Sequence, residues 1–182
     1  MSEASPCSGG SAHRRSLALS LAVIFTAWLQ ATTSIGQTAQ GHWSTYRNDR
    51  YGTTIDYPDS FKMQPPPDND DGRAFKSADG AGFSVSAAYN ALDFDLAKYR
   101  AFILQNLDPG AVVTYQANGA DWFVVSGTRG GDIFYERHLL SHGGEMTEDF
   151  VISYPAAAKQ TYDPIVARMA KSLRSGKGFQ SP

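Results

Sequence analysis

Residues 111–155 read AVVTYQANGADWFVVSGTRGGDIFYERHLLSHGGEMTEDFVISYP. Four apolar, β-branched and aromatic runs are separated by three turn clusters: Asn118-Gly119, Arg129-Gly130-Gly131-Asp132 and His142-Gly143-Gly144-Glu145. Short Asn-Gly and Gly-rich connections supply the positive φ angles that tight hairpins require. The spacing therefore predicts four antiparallel strands over residues 111–116, 121–128, 133–141 and 146–154, joined as a meander. Pro155 ends the last of them, because proline has no N–H to give to a ladder.

Working outward from the meander, residues 96–107 carry Leu96, Tyr99, Ile103 and Leu107 at helical spacing, with Asp93 or Asp95 to cap the start and Asp108-Pro109-Gly110 to end it. Before this helix, residues 43–47, 51–57, 61–64, 73–77 and 82–89 read as strands. They are punctuated by Pro58, by the proline run at 65–67 and by the hairpin signal Asp79-Gly80. After the meander, Tyr162, Ile165, Val166, Met169, Ala170 and Leu173 form a single apolar helical stripe. Asp163 is the expected cap, Pro164 the first helical residue and Gly176 the stop, with 156–160 as a short helical lead-in. Strands, a helix, a meander and a second helix give an α+β domain. Its expected architecture is an antiparallel sheet of six to seven strands covered by two main helices.

The amino-terminal region is of another kind. Arg14 and Arg15 precede a 13-residue apolar run, residues 17–29, and a small-residue stretch follows. This is the n-, h- and c-region order of a secretory signal. A helix of that length spans about 20 Å, short of the roughly 30 Å hydrocarbon core that an anchor must cross. The expected organisation is a signal peptide over 1–36, a linker over 37–42, one α+β domain over 43–175 and a frayed tail over 176–182. Cleavage after Ala39 is the alternative to cleavage after Gly36.

Composition narrows the function classes. The 182 residues hold 16 Lys+Arg against 18 Asp+Glu, a net charge of −2, and the chain beyond residue 36 has a net charge of −3. No basic patch points to nucleic acid. The single Cys, Cys7, lies in the leader, so the exported domain has neither a disulfide framework nor a Cys-based metal site. No second apolar run is long enough to hold the mature chain in a membrane. No cofactor motif is present.

The segment from Tyr51 through Gly52, Ile55, Tyr57, Pro58 and Phe61 resembles the opening strand of the Mog1/PsbP-like fold, and the hairpins, the amphipathic helix after them and the terminal helix ending in Lys171-Ser172-Leu173 agree with it. The chain also resembles small exported proteobacterial proteins without assigned activity, over residues 71–80, 122–127 and 162–168. Together the likeness extends over most of residues 43–175. It implies a binding or accessory domain, since the fold is that of photosystem assembly partners and nuclear-transport factors. No particular partner transfers with it, because a fold does not fix a function.

Several residue groups carry chemistry in principle. His138, His142 and Glu145 have metal-ligand types, but His138 falls in a strand and His142 in a turn, so the shared helical face such a spacing exploits is missing. The acidic loop Asp68, Asp70, Asp71 fails the EF-hand pattern, which needs Gly at its sixth and Glu at its twelfth position, where Arg73 and Asp79 stand. Ser126, His138 and Asp121 or Asp132 hold the types for nucleophilic hydrolysis without a nucleophile-elbow sequence. In the strand 133–140, Phe134, Glu136, His138 and Leu140 point one way and Ile133, Tyr135, Arg137 and Leu139 the other. Trp122, Tyr135, Glu136, Arg137 and His138 are therefore the candidate binding residues, as aromatic and charged groups favour interfaces. The expected protein is an exported, periplasmic, non-catalytic binding or accessory domain with an envelope protein as partner. A small hydrolase or metal-dependent enzyme built on His138 is the alternative.

The leader assignment has a direct check. Amino-terminal sequencing of protein recovered from the periplasm is expected to begin at Gln37; a chain that still begins at Met1 contradicts export by signal cleavage.

Overall fold

The computed structural model describes residues 41–176. The signal peptide read over 1–36, the first part of the linker and residues 177–182 of the tail lie outside the described residues. Nine strands and two α-helices follow in the order β1 (Trp43–Arg47), β2 (Thr54–Pro58), β3 (Lys62–Met63), β4 (Gly72–Lys76), β5 (Gly82–Tyr89), α1 (Leu96–Gln105), β6 (Val112–Asn118), β7 (Trp122–Arg129), β8 (Asp132–Ser141), β9 (Met146–Pro155) and α2 (Lys159–Ser172). Seven strands form one antiparallel sheet in the order β3-β4-β5-β9-β8-β7-β6. The predicted meander is its β6–β9 half, and β5 closes on β9. β1 and β2 pair separately as a two-stranded antiparallel unit, a division that strand periodicity does not reveal.

Register assigns every side chain to a face. Val125, Glu136 and Val151 stand on one rung, and Val124, Arg137, Phe150 and Val85 on the next. Side chains of neighbouring rungs point to opposite faces. On the first face, α1 covers the β7–β8 part: Tyr99 is buried against Phe123, Val125 and Phe134. On the second face, Tyr162, Val166, Met169, Ala170 and Leu173 of α2 join Tyr46 and Ile55 of the β1–β2 unit over Phe75, Phe83, Phe150 and Ile152. Phe75 and Phe83 stack with their centroids 4.3 Å apart. The α2 stripe is the one the sequence predicts. Neither helix reaches the β6–β7 end of the second face, where Tyr115 remains 56% exposed.

Two helix starts are informative. Of the two candidate caps for α1, Asp95 is used: its Oδ1 accepts from the Lys98 N–H at 2.8 Å. α2 begins at Lys159, earlier than the Asp163-Pro164 pair implies, and continues from a 3₁₀ turn over Ala156–Ala158. Pro164 is thus inside the helix, where it removes a single backbone bond to Gln160 near the start and breaks nothing further. Asp163 is freed from capping. Its carboxylate pairs with Lys159 one turn back and accepts from the Tyr154 hydroxyl at 3.3 Å. Beyond α2, Arg174 exchanges two 3.0 Å backbone bonds with Thr54, which ties the carboxyl-terminal end of the described chain to β2.

Gly127 shows how tightly β6 is held. A Cβ at this position would lie 2.0 Å from the Val112 carbonyl oxygen and 2.9 Å from the Phe134 ring. Gly127→Ala must therefore displace β6 backbone, and overpacking of this kind costs about 1–3 kcal/mol. Urea unfolding of Gly127→Ala is expected to show that loss; a wild-type midpoint contradicts the packing described.

Candidate functional site

β8 carries the candidate residues, and its pleat separates them. Glu136 and His138 stand on the α1 face, while Tyr135 and Arg137, with Trp122 from β7, stand on the α2 face. The five residues therefore make two distinct groups and not one patch.

The first group is a buried hydrogen-bonded cluster. His138 is 2% exposed and stacks on Phe123 at 4.7 Å. Its Nδ1 lies 2.7 Å from Asp149 Oδ1 and its Nε2 3.2 Å from Glu136 Oε2. The Tyr99 hydroxyl donates to the same Asp149 oxygen at 2.6 Å. Burial by itself would push the imidazole pKa down. The hydrogen bonds and charges of Asp149 and Glu136 outweigh it and hold the pKa up at about 9. Burial, reinforced by Asp149, raises the Tyr99 hydroxyl. At neutral pH the ring is thus an imidazolium that donates from both nitrogens. Both ring nitrogens are engaged, one with Asp149 and the other with Glu136.

Ser126 and Glu145 stand apart from His138. Ser126 lies on the opposite face from His138, and its hydroxyl donates to the Phe134 carbonyl at 2.7 Å. Glu145 is exposed on the turn after β8 while His138 is buried within the sheet. Among the described residues, no group of three or more His, Cys, Asp or Glu side chains is arranged to hold a metal ion.

The second group is half-buried on the α2 face. The Arg137 guanidinium sits 4.3 Å over the Trp122 ring. Trp122 in turn packs on the β6–β7 turn: a Cβ at Gly119 would fall 2.3 Å from the indole Nε1, so glycine is what permits this seat. On the next rung pointing the same way, Tyr135 stands beside Ser126 and Tyr115. Burial raises the Tyr135 pKa and the neighbouring Arg137 charge opposes it. Between these strands and α2 lies a groove of about 430 Å³, lined by Tyr115, Ser126, Tyr135, Tyr154, Lys159 and Asp163 among others. A second hollow of about 310 Å³ lies at Leu96, Arg100, Asn118 and Phe123.

Tyr115, Tyr154 and the Lys159–Asp163 pair are site residues that sequence reasoning missed. They come from three elements and no local motif joins them. Asp149 was within reach. With strands ending at Ser141 and restarting at Met146, a hairpin that pairs those two residues must also pair His138 with Asp149.

The chain matches no protein-family model, and no curated protein matches its sequence. Solved structures do match. Cyanobacterial PsbP from Synechocystis superposes with a TM-score of 0.56 at 15% identity, over 79% of this chain and 98% of that one. The Ran-binding protein Mog1p of Saccharomyces cerevisiae gives 0.52 at 9% identity, over 74% and 95%. LpqN of Mycobacterium tuberculosis, described as involved in cell envelope biogenesis, gives 0.50 at 14% identity, over 75% and 91%. The fold is Mog1/PsbP-like, as the opening strand motif implies. Among the described residues no helix is long and apolar enough to cross a membrane.

The His138 cluster makes stability pH-dependent. The unfolded ring titrates near its ordinary value of about 6.5. Because the folded value is higher, the stabilisation is complete below about pH 6.5 and is lost as pH rises through 9. Urea unfolding is expected to lose on the order of a few kcal/mol across that window. His138→Gln should be less stable than wild type at pH 6 and flat across the same range; a variant that keeps the wild-type pH slope contradicts this assignment.

Proposed function

We propose that this chain is an exported periplasmic domain that works by binding, as an accessory module of the bacterial cell envelope. The observation that carries the reading is the open α2 face of β6–β8, where Arg137 stacked on Trp122 borders the tyrosine-lined groove. Aromatic residues and arginine dominate the energetic centres of protein interfaces. A rigidly stacked arginine also loses little rotamer freedom when a partner arrives. The leader sequence supports export. Two structural neighbours support a binding role by analogy: LpqN is involved in envelope biogenesis, and Mog1p is a Ran-binding protein. His138 serves this function indirectly. Its charge holds β8 to β9 and, through Asp149, to Tyr99 of α1, which keeps the strand bearing Arg137 rigid.

A photo-crosslinking residue placed at Tyr115 in the native host is expected to give discrete adducts with an envelope protein. The same residue at Phe102, exposed on α1, should give none. Adducts from Phe102 but not from Tyr115 would place the binding face elsewhere, and adducts from neither would remove the binding reading.

A further inference from the structure

β6 is the last strand of the seven, so its outer backbone N–H and C=O groups have no strand beside them. Edge strands are usually guarded by charge, by proline, by a bulge or by being very short. The opposite edge shows three of these: β3 is two residues long, starts at Lys62 and is followed by Pro65. β6 has seven residues, Val112 to Asn118, with no charge and no proline, and Val112 is 59% exposed. A bulge between Val113 and Tyr115 is its one irregularity, and it leaves Tyr115 to Asn118 in regular register.

Two strands in from this edge, Arg137 of β8 lies over Trp122, which packs on the β6–β7 turn. Arg137 makes no ion pair among the described residues, and its Nε is buried without a hydrogen-bond partner. Lys159 and Asp163, the charged residues lining the groove, pair with each other. The other carboxylate on this face, Glu148, is buried and accepts from Ser141, so Arg137 is the partly exposed charge beside the groove that makes no ion pair. A guanidinium stacked by its flat side still has its in-plane N–H donors for a carboxylate, which it meets as a fork.

We propose that this surface takes up an extended, acidic segment of a partner protein, whose backbone adds to the sheet at β6 while one of its carboxylates pairs with Arg137. The proposal rests on the binding reading above and adds the partner's chemistry. Strand addition obtains affinity from main-chain bonds and specificity from side-chain pockets on alternate residues, here the groove and Arg137. A second copy of this chain joined β6 to β6 would bring no carboxylate in its paired strand, because β6 has none. An anionic membrane is attracted by a cluster of basic residues, and this face offers Arg137 alone unpaired.

The probe is a dye-labelled, acetylated and amidated ten-residue peptide of alternating threonine and valine with two glutamates in place of threonines, beside glutamine and lysine versions. Binding to the exported chain is read by fluorescence anisotropy and by amide shifts in ¹⁵N-labelled protein. The glutamate peptide is expected to bind about tenfold more tightly than the glutamine one, with shifts centred on residues 112–118. Arg137→Gln should erase that difference, and Arg137→Lys should restore part of it. Each variant is first checked for a wild-type-like spectrum. Equal affinity for all three peptides, an unchanged preference in Arg137→Gln, or shifts that avoid β6 overturns the proposal. So does self-association through β6 without peptide, or preferential binding to phosphatidylglycerol vesicles. Any of these results beside intact crosslinking from Tyr115 removes the acidic segment while leaving the binding face; loss of that crosslinking removes both.

Discussion

The pairing of β8 with β9 is the constraint on which the rest depends. It spans ten rungs, from Asp132 opposite Pro155 to Ser141 opposite Met146. It lies at the middle of the sheet and puts the imidazolium of His138 against the carboxyl of Asp149. A one-residue slip would turn every side chain of β8 to the other face. It would bring Arg137 into the α1 core and expose the histidine. The charged cluster resists such a slip, because His138, with Glu136 two residues back on its own strand, meets Asp149 only in the observed register. Buried polar groups are costly unless satisfied, and here the cost falls on the wrong pairings.

From that register follows a division of labour. On the α1 face the ring is covered: Phe123 and Tyr99 pack on His138, and the polar atoms of the cluster bond to one another. The α2 face is sealed only where α2 and the β1–β2 unit lie on it. At the β6–β7 end it stays open, and beside it Arg137 stacks on Trp122 without an ion pair, while Glu148 of the same face is buried. Polar residues of adjacent number on β8 thus perform opposite tasks, one group fixing the scaffold and the other meeting solvent.

Much of the fold was legible because the deciding signals are local. Gly-rich turns of known length set the strand boundaries of the meander, and the alternation in β8 assigned its faces before any contact was known. The α2 stripe from Tyr162 to Leu173 is equally local. What sequence reasoning could not reach depends on contacts distant in the chain. The separate pairing of β1 with β2 needs α2 and the core rings of β4 and β5 to pack under it. The early start of α2 arises from the 3₁₀ turn that feeds it, which overrides the Asp-Pro capping signal. The candidate residues are aromatic and charged positions on β8 and its neighbour β7. Their division between faces was also readable, yet grouping Glu136 and His138 with Trp122, Tyr135 and Arg137 merged a scaffold cluster with a surface. The groove escaped notice because Tyr115, Tyr154 and Lys159 meet only in three dimensions.

Arg137 is proposed to meet the partner and His138 to hold the scaffold. A paired comparison separates the two: thermal unfolding, and recovery of the crosslinked partner per folded molecule, for Arg137→Gln and His138→Gln side by side. Arg137→Gln is predicted to melt like wild type and lose the partner, while His138→Gln melts lower and its folded molecules retain it. A His138→Gln protein of wild-type stability that no longer recovers the partner, beside an Arg137→Gln protein that does, would contradict the account.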